Sequence, residues 1–140
     1  MSIADRYQAY AEAFEESYED DDWTRIEPFF TEDAIYESQG EDARGREAVL
    51  AKLKGGVDTF DRNMDSRTPD FQTPTVEGNT LTMKWQVTYT KADCPDLVIT
   101  GHEIAVFEGD RIARLRDEFD PAAETTMGDW MAAHGAKLQG

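Results

Sequence analysis

Residues 80–119 read "TLTMKWQVTYT" (80–90), "KADCPD" (91–96), "LVITGHEIAVF" (97–107), "EGD" (108–110) and "RIARLRDEF" (111–119). Apolar and polar residues alternate with a period of two through the three long runs, the spacing of strands whose successive side chains point to opposite faces. The connectors are short and rich in turn residues, so the economical arrangement is an antiparallel meander. One step upstream, "MDSRTPDFQTPTV" (64–76) has the same period and adds a fourth strand, which Pro69 and Pro74 confine to an edge or a bulge. In the last run Leu115, Asp117 and Phe119 share one face, while Arg114, Arg116 and Glu118 share the other. Asp117 is therefore a carboxylate on an apolar face, and that anomaly makes it the leading candidate for chemistry.

Before residue 64 the period is helical. Ile3, Tyr7, Tyr10, Ala11, Phe14 and Tyr18 recur at three- and four-residue steps behind a Ser2 N-cap. "TRIEPFF" (24–30) offers Thr24 and Glu27 as a capping box, with Trp23, Ile26, Phe29 and Phe30 on its buried side and Pro28 near the opening turn. "AIYES" (34–38) reads as a short strand, and "GREAVLAKLKGGVDTF" (45–60) as a helix burying Val49, Leu53, Val57 and Phe60. After the meander, Asp120 and Pro121 open a C-terminal helical tail (121–140), with Met127, Trp130, Met131 and His134 at helical spacing. Helices gathered before a run of strands define an α+β domain in which a curved sheet packs the helices against one face.

The 140 residues make one domain, 1–140. With 14 Lys and Arg against 30 Asp and Glu, the formal charge of −16 repels nucleic-acid phosphates and anionic membrane surfaces, which excludes both as expected partners. The N-terminus has no cationic start followed by an apolar run, and no window approaches a membrane span, so a cytoplasmic location is expected. Cys94, the single cysteine, sits in a turn without Cys or His neighbours at ligand spacing. The acidic run "EESYEDDD" (15–22) lacks the Asp-x-Asp-x-Asp-Gly pattern of a calcium loop and reads as a solvated helix end.

This element order, together with "DDWTRIEPFFTEDAIYE" (21–37), "GREAVLAKL" (45–53) and "GDRIARLRDEFD" (109–120), resembles the NTF2-like superfamily, in its SnoaL-like and limonene epoxide hydrolase branch. The resemblance implies a cone of helices on a mostly antiparallel sheet enclosing a pocket for a small molecule, and a homodimer formed through the sheet, with Trp85 on the covered face. It implies that Asp117 is the proton acceptor or donor of the last strand, with Glu118 replacing the usual aromatic. Tyr36 would donate a hydrogen bond to a developing oxyanion, and Lys84, sharing parity with Gln86 and Thr88, would face the cavity and offset charge.

Departures from the pattern narrow the activity. The related epoxide hydrolases use an Arg-x-Asp where this chain has Lys84, Trp85 and Gln86; glutamine cannot supply an acid proton, and lysine lacks the guanidinium fork. Ser38 stands where their asparagine would be, and it also replaces the carboxylate base of ketosteroid isomerases, whose oxyanion tyrosine aligns with Phe14 here. The SnoaL-like cyclases remain the nearest match, and the resemblance to them implies a cofactor-independent proton-transfer enzyme of cyclase or isomerase type, acting on a small apolar carbonyl compound without a metal. Asp117, Tyr36 and Lys84 are its expected catalytic groups, and Gln86, His102, Ser38, Phe14, Leu115 and Phe119 its expected pocket contacts. The alternative is a non-catalytic ligand-binding or structural domain in which Asp117 and Lys84 form an internal ion pair.

Overall fold

The computed structural model describes residues 2–38 and 41–136. Helix α1 spans Ile3–Asp20; Ser2 caps it by accepting a hydrogen bond from the Asp5 amide at 3.1 Å, as its sequence spacing predicts. Tyr7, Tyr10, Ala13 and Ser17 form its buried face. The next turn, Trp23–Phe29, is a 3-10 helix capped by Asp22 rather than Thr24. Asp22 Oδ1 accepts from both the amide and the hydroxyl of Thr24, which uses up the threonine side chain, and Pro28 lacks the N–H that an α-helical turn would need.

Strand β1 (Phe30–Glu37) is longer than the expected segment, and β2 (Ala43–Arg44) pairs with it as a two-residue ladder. Helix α2 (Arg46–Thr59) buries Val49, Leu53 and Val57. A short 3-10 turn, Asp61–Asn63, leads into β3 (Ser66–Phe71) and β4 (Thr75–Glu77). These two replace the single strand expected over 64–76: both pair with β5 (Thr80–Thr90), but the register slips by one residue between Phe71↔Trp85 and Thr75↔Thr82. Pro74, in the unpaired stretch between them, has no N–H to give to a ladder.

The meander then runs through β6 (Leu97–Glu108) and β7 (Arg111–Phe119), with bounds within a residue of those read from the alternation. The sheet order is β2-β1-β7-β6-β5-β3, with β4 also on β5. All pairs are antiparallel except β1 with β7, so the sheet is mixed. It is curved and unclosed, and the helices pack on it as the α+β cone predicts. Helix α3 (Pro121–His134) starts with Pro121 in its first turn; Asp120 precedes it, but its side chain accepts from Thr100 Oγ1 at 2.8 Å instead of capping. Residues 137–140 of the expected tail lie outside the described residues.

One apolar cluster fills the space between α1, α2 and the sheet, with Ile26, Phe30, Leu81, Phe107, Ile112 and Leu115 almost fully buried. At roughly 1.5–3 kcal/mol for each such side chain, this cluster is the main stabilising element. A second cluster, including Leu97, Ile99 and Trp130, seats α3 against β6; Trp130 Nε1 donates to the Pro95 carbonyl at 2.9 Å. Among the described residues no helix is long and apolar enough to cross a membrane.

Candidate active site

On β5 the core side is taken by Leu81, Met83, Val87 and Tyr89, all buried, so alternation turns Lys84 and Gln86 to the outer face, where both are exposed. This corrects the expected inward Lys84 and Gln86. It also reverses Trp85, which lines the cavity and packs edge-on against Phe119 with ring centroids 5.5 Å apart. On β6 the same alternation places His102 outside, opposite Lys84 and Glu118, with Nε2 2.8 Å from Glu118 Oε2. His102 is therefore part of a surface charge row and not of the pocket wall.

Asp117 points inward, as its parity requires, and lines a cavity of about 280 Å³ between α1, α2 and the sheet. Tyr36, Ser38, Phe14 and Phe119 line the same cavity, whereas Leu115 is fully buried in the core. The Tyr36 hydroxyl donates to Asp117 Oδ2 at 2.6 Å. The cation on this wall is Lys52 of α2, whose Nζ lies 5.4 Å from the Tyr36 ring centroid and donates to the Glu41 carbonyl.

The residue that sequence reasoning missed is Glu103. It stands directly across the β6–β7 ladder from Asp117 and lines the cavity beside it. Its parity, shared with Gly101, Ala105 and Phe107, marked it as inward in the same way that Leu115 and Phe119 marked Asp117. Tyr7 of α1 donates its hydroxyl to Glu103 Oε1. Burial, then the adjacent Asp117 charge and a hydrogen bond to Asp117, hold the Glu103 carboxyl well above the usual carboxylate range. Two carboxyls facing each other in a dry site resist ionising together, so Glu103 holds its proton more tightly than a solvated carboxyl does. Tyr7 and Tyr36 are pushed upward too, first by burial and then by these carboxylates, so both hydroxyls remain donors.

The result is a chain of four groups, Tyr7 to Glu103 to Asp117 and Tyr36 to Asp117, in a pocket whose other walls are largely aromatic and aliphatic. It presents a carboxylate base with two neutral donors beside it. Among the described residues, no group of three His, Cys, Asp or Glu side chains is arranged to hold a metal ion.

A helical front on a curved mixed sheet with a pocket between them defines an NTF2-like α+β cone. Within that class, residues 8–115 match the family model of the SnoaL-like domain, and the chain belongs to that family. No curated protein matches the sequence. Solved structures share the fold at low identity. Bal32a, from a soil-derived mobile gene cassette, is 13% identical with a TM-score of 0.67, over 92% of this chain and 98% of its own. TerC co-crystallised with polyporic acid is 11% identical with a TM-score of 0.68, over 94% and 99%. A candidate polyketide cyclase from Xanthomonas campestris pv. campestris is 19% identical with a TM-score of 0.60, over 94% and 98%.

Proposed function

We propose that this protein is a cofactor-independent enzyme that moves a proton on a small, largely apolar carbonyl compound, in an isomerisation or cyclisation. The observation that carries this is the Asp117 carboxyl in an apolar-walled cavity, hydrogen-bonded by Tyr36 at 2.6 Å and facing Glu103 across the β6–β7 ladder. A pocket of about 280 Å³ lies just below the usual range for drug-sized ligands and suits a small compound. The names of two proteins of this fold, one crystallised with polyporic acid and one a candidate polyketide cyclase, suit a pocket of that kind.

Asp117 takes the proton from a carbon next to the carbonyl, leaving the electron pair as an enolate. Once Asp117 is protonated it no longer needs the Glu103 proton, so the Glu103 O–H becomes available to the enolate oxygen. The proton on Asp117 then returns to a different carbon, or the enolate carbon attacks a second carbonyl and closes a ring, whose alkoxide takes a proton from the pair. General base action supplies about 10² to 10⁴ in rate, and a positioned oxyanion donor a comparable factor.

The test is exchange of the α-protons of an apolar ketone, 2-tetralone, into D₂O, followed by proton NMR. The wild-type protein should accelerate loss of the α-proton signals above the buffer rate, and Asp117→Asn should abolish the acceleration while circular dichroism stays native. Acceleration that survives Asp117→Asn would overturn the assignment, and no acceleration by wild type would leave a binding domain.

A further inference from the structure

The carboxyl pair occupies one end of the cavity, and Arg67 of β3 lines the other. Its side chain is only 10% exposed, and its Nη1 donates to Glu15 Oε1 at 2.6 Å. Its Nε lies 3.0 Å from Asp61 Oδ2, yet the N–H misses that oxygen and meets no acceptor. Among the described residues this is the one buried side-chain nitrogen or oxygen without a hydrogen bond. Leaving such a donor unsatisfied on a charged group is costly, and a native exception of this kind calls for an occupant.

The two ends are well separated. Arg67 pairs across the ladder with Tyr89, whereas Glu103 pairs with Met83 six residues away on β5, and both side chains reach into the one cavity. Phe14, Trp85 and Phe119 lie on the walls. Glu15 and Asp61 already match the guanidinium charge twice, so a third negative charge from a ligand would be repelled. A neutral oxygen suits the free N–H.

We propose that Arg67 is a specificity-determining residue whose Nε–H donates to a neutral carbonyl oxygen at the far end of the substrate. The substrate class is then a two-ended, mainly aromatic or alicyclic compound: one carbonyl lies beside the carbon that Asp117 deprotonates, and a second lies at Arg67. The assignment of the near end rests on the proton-transfer reading above; the far end does not.

Fluorescence titration with three probes tests it: 2-naphthol, 6-acetyl-2-naphthol, which adds a neutral carbonyl at the far end, and 6-hydroxy-2-naphthoate, which adds a charge there. Wild type should bind the acetyl compound at least about tenfold more tightly than 2-naphthol, the factor one hydrogen bond to a charged group supplies. The carboxylate should gain nothing. Arg67→Lys keeps a cation between Glu15 and Asp61; it should reduce the acetyl preference to within about twofold while 2-naphthol binds as before. Equal wild-type affinities, tightest binding by the carboxylate, or a preference that survives Arg67→Lys would each overturn the proposal. If Arg67→Lys does not fold, the wild-type ratio decides alone. Asp117→Asn separates the two claims, because it removes proton exchange and leaves the acetyl preference intact; a wild-type preference without any exchange would sink proton transfer and sustain Arg67.

Discussion

Glu103 shows how one buried proton ties function to stability. Its folded proton affinity is raised, first by burial and then by Asp117, so between the unfolded value near about 4.3 and its higher folded value the native state holds a proton that the unfolded state has lost. The contribution of this group is therefore greatest below the unfolded value and falls as pH rises through this window, at up to about 1.4 kcal/mol per pH unit. Asp61, raised mainly by burial, contributes in the same sense. Glu103→Gln keeps the shape and a donor toward Asp117 but removes the titration, so thermal melts from pH 5 to 8 should show a flatter decline and a higher midpoint at pH 8 than wild type; a parallel decline would contradict the raised proton affinity. Tyr36→Phe deletes the hydroxyl donor to Asp117 and should slow α-proton exchange by about 10²-fold, measured in the same NMR assay. Asp117 was legible because Leu115 and Phe119 bracket it, and Glu103 was equally legible in "TGHEIAVF". His102 has the more familiar chemistry but the outward parity, and an inward Lys84 is incompatible with the apolar parity of Leu81, Met83 and Val87.

Among the elements, β6 is the one whose composition most directly shapes the cavity. Gly101 sits in register between Trp85 and Phe119, and a Cβ there would fall 2.3 Å from the Glu118 carbonyl oxygen and 2.7 Å from Trp85 Cζ2. The bare glycine lets the Trp85 ring lie across β6 and meet Phe119 edge-on. Gly101→Ala should cost about 1–3 kcal/mol, read as a lower urea midpoint, because a backbone oxygen cannot yield as a side-chain end does; unchanged stability would mean the strands part freely. Long elements were readable from the chain because their periods persist: β5 and β7 have the bounds that the alternation gave. The two-residue β2 carries too few residues to express a period, and the slip between β3 and β4 depends on which residue of β5 each one meets. Likewise, the Asp120 side chain was bound to look like a cap until Thr100 of β6 came within reach of it.

For the whole molecule, a charge of −16 on 140 residues sets a repulsive background that folding must overcome. Added salt screens it, so raising sodium chloride from about 10 to 150 mM should raise the melting temperature; a fall would show that surface ion pairs such as Arg25 with Asp20 outweigh the repulsion. The same acidity is concentrated inside, where Glu103 and Asp117 face one cavity and burial raises the proton affinity of Glu103. A proton retained on Glu103 is the centre of the account, since it gives the pocket a base and an acid within one pair. Carbon-13 NMR of the carboxyl groups, with the Glu103 resonance assigned by its loss in Glu103→Gln, measures it directly. The Glu103 carboxyl carbon should keep its protonated chemical shift at pH 7 in wild type and move toward ordinary titration in Asp117→Asn. A wild-type resonance that titrates in the usual carboxylate range, between about pH 4 and 5, would contradict it.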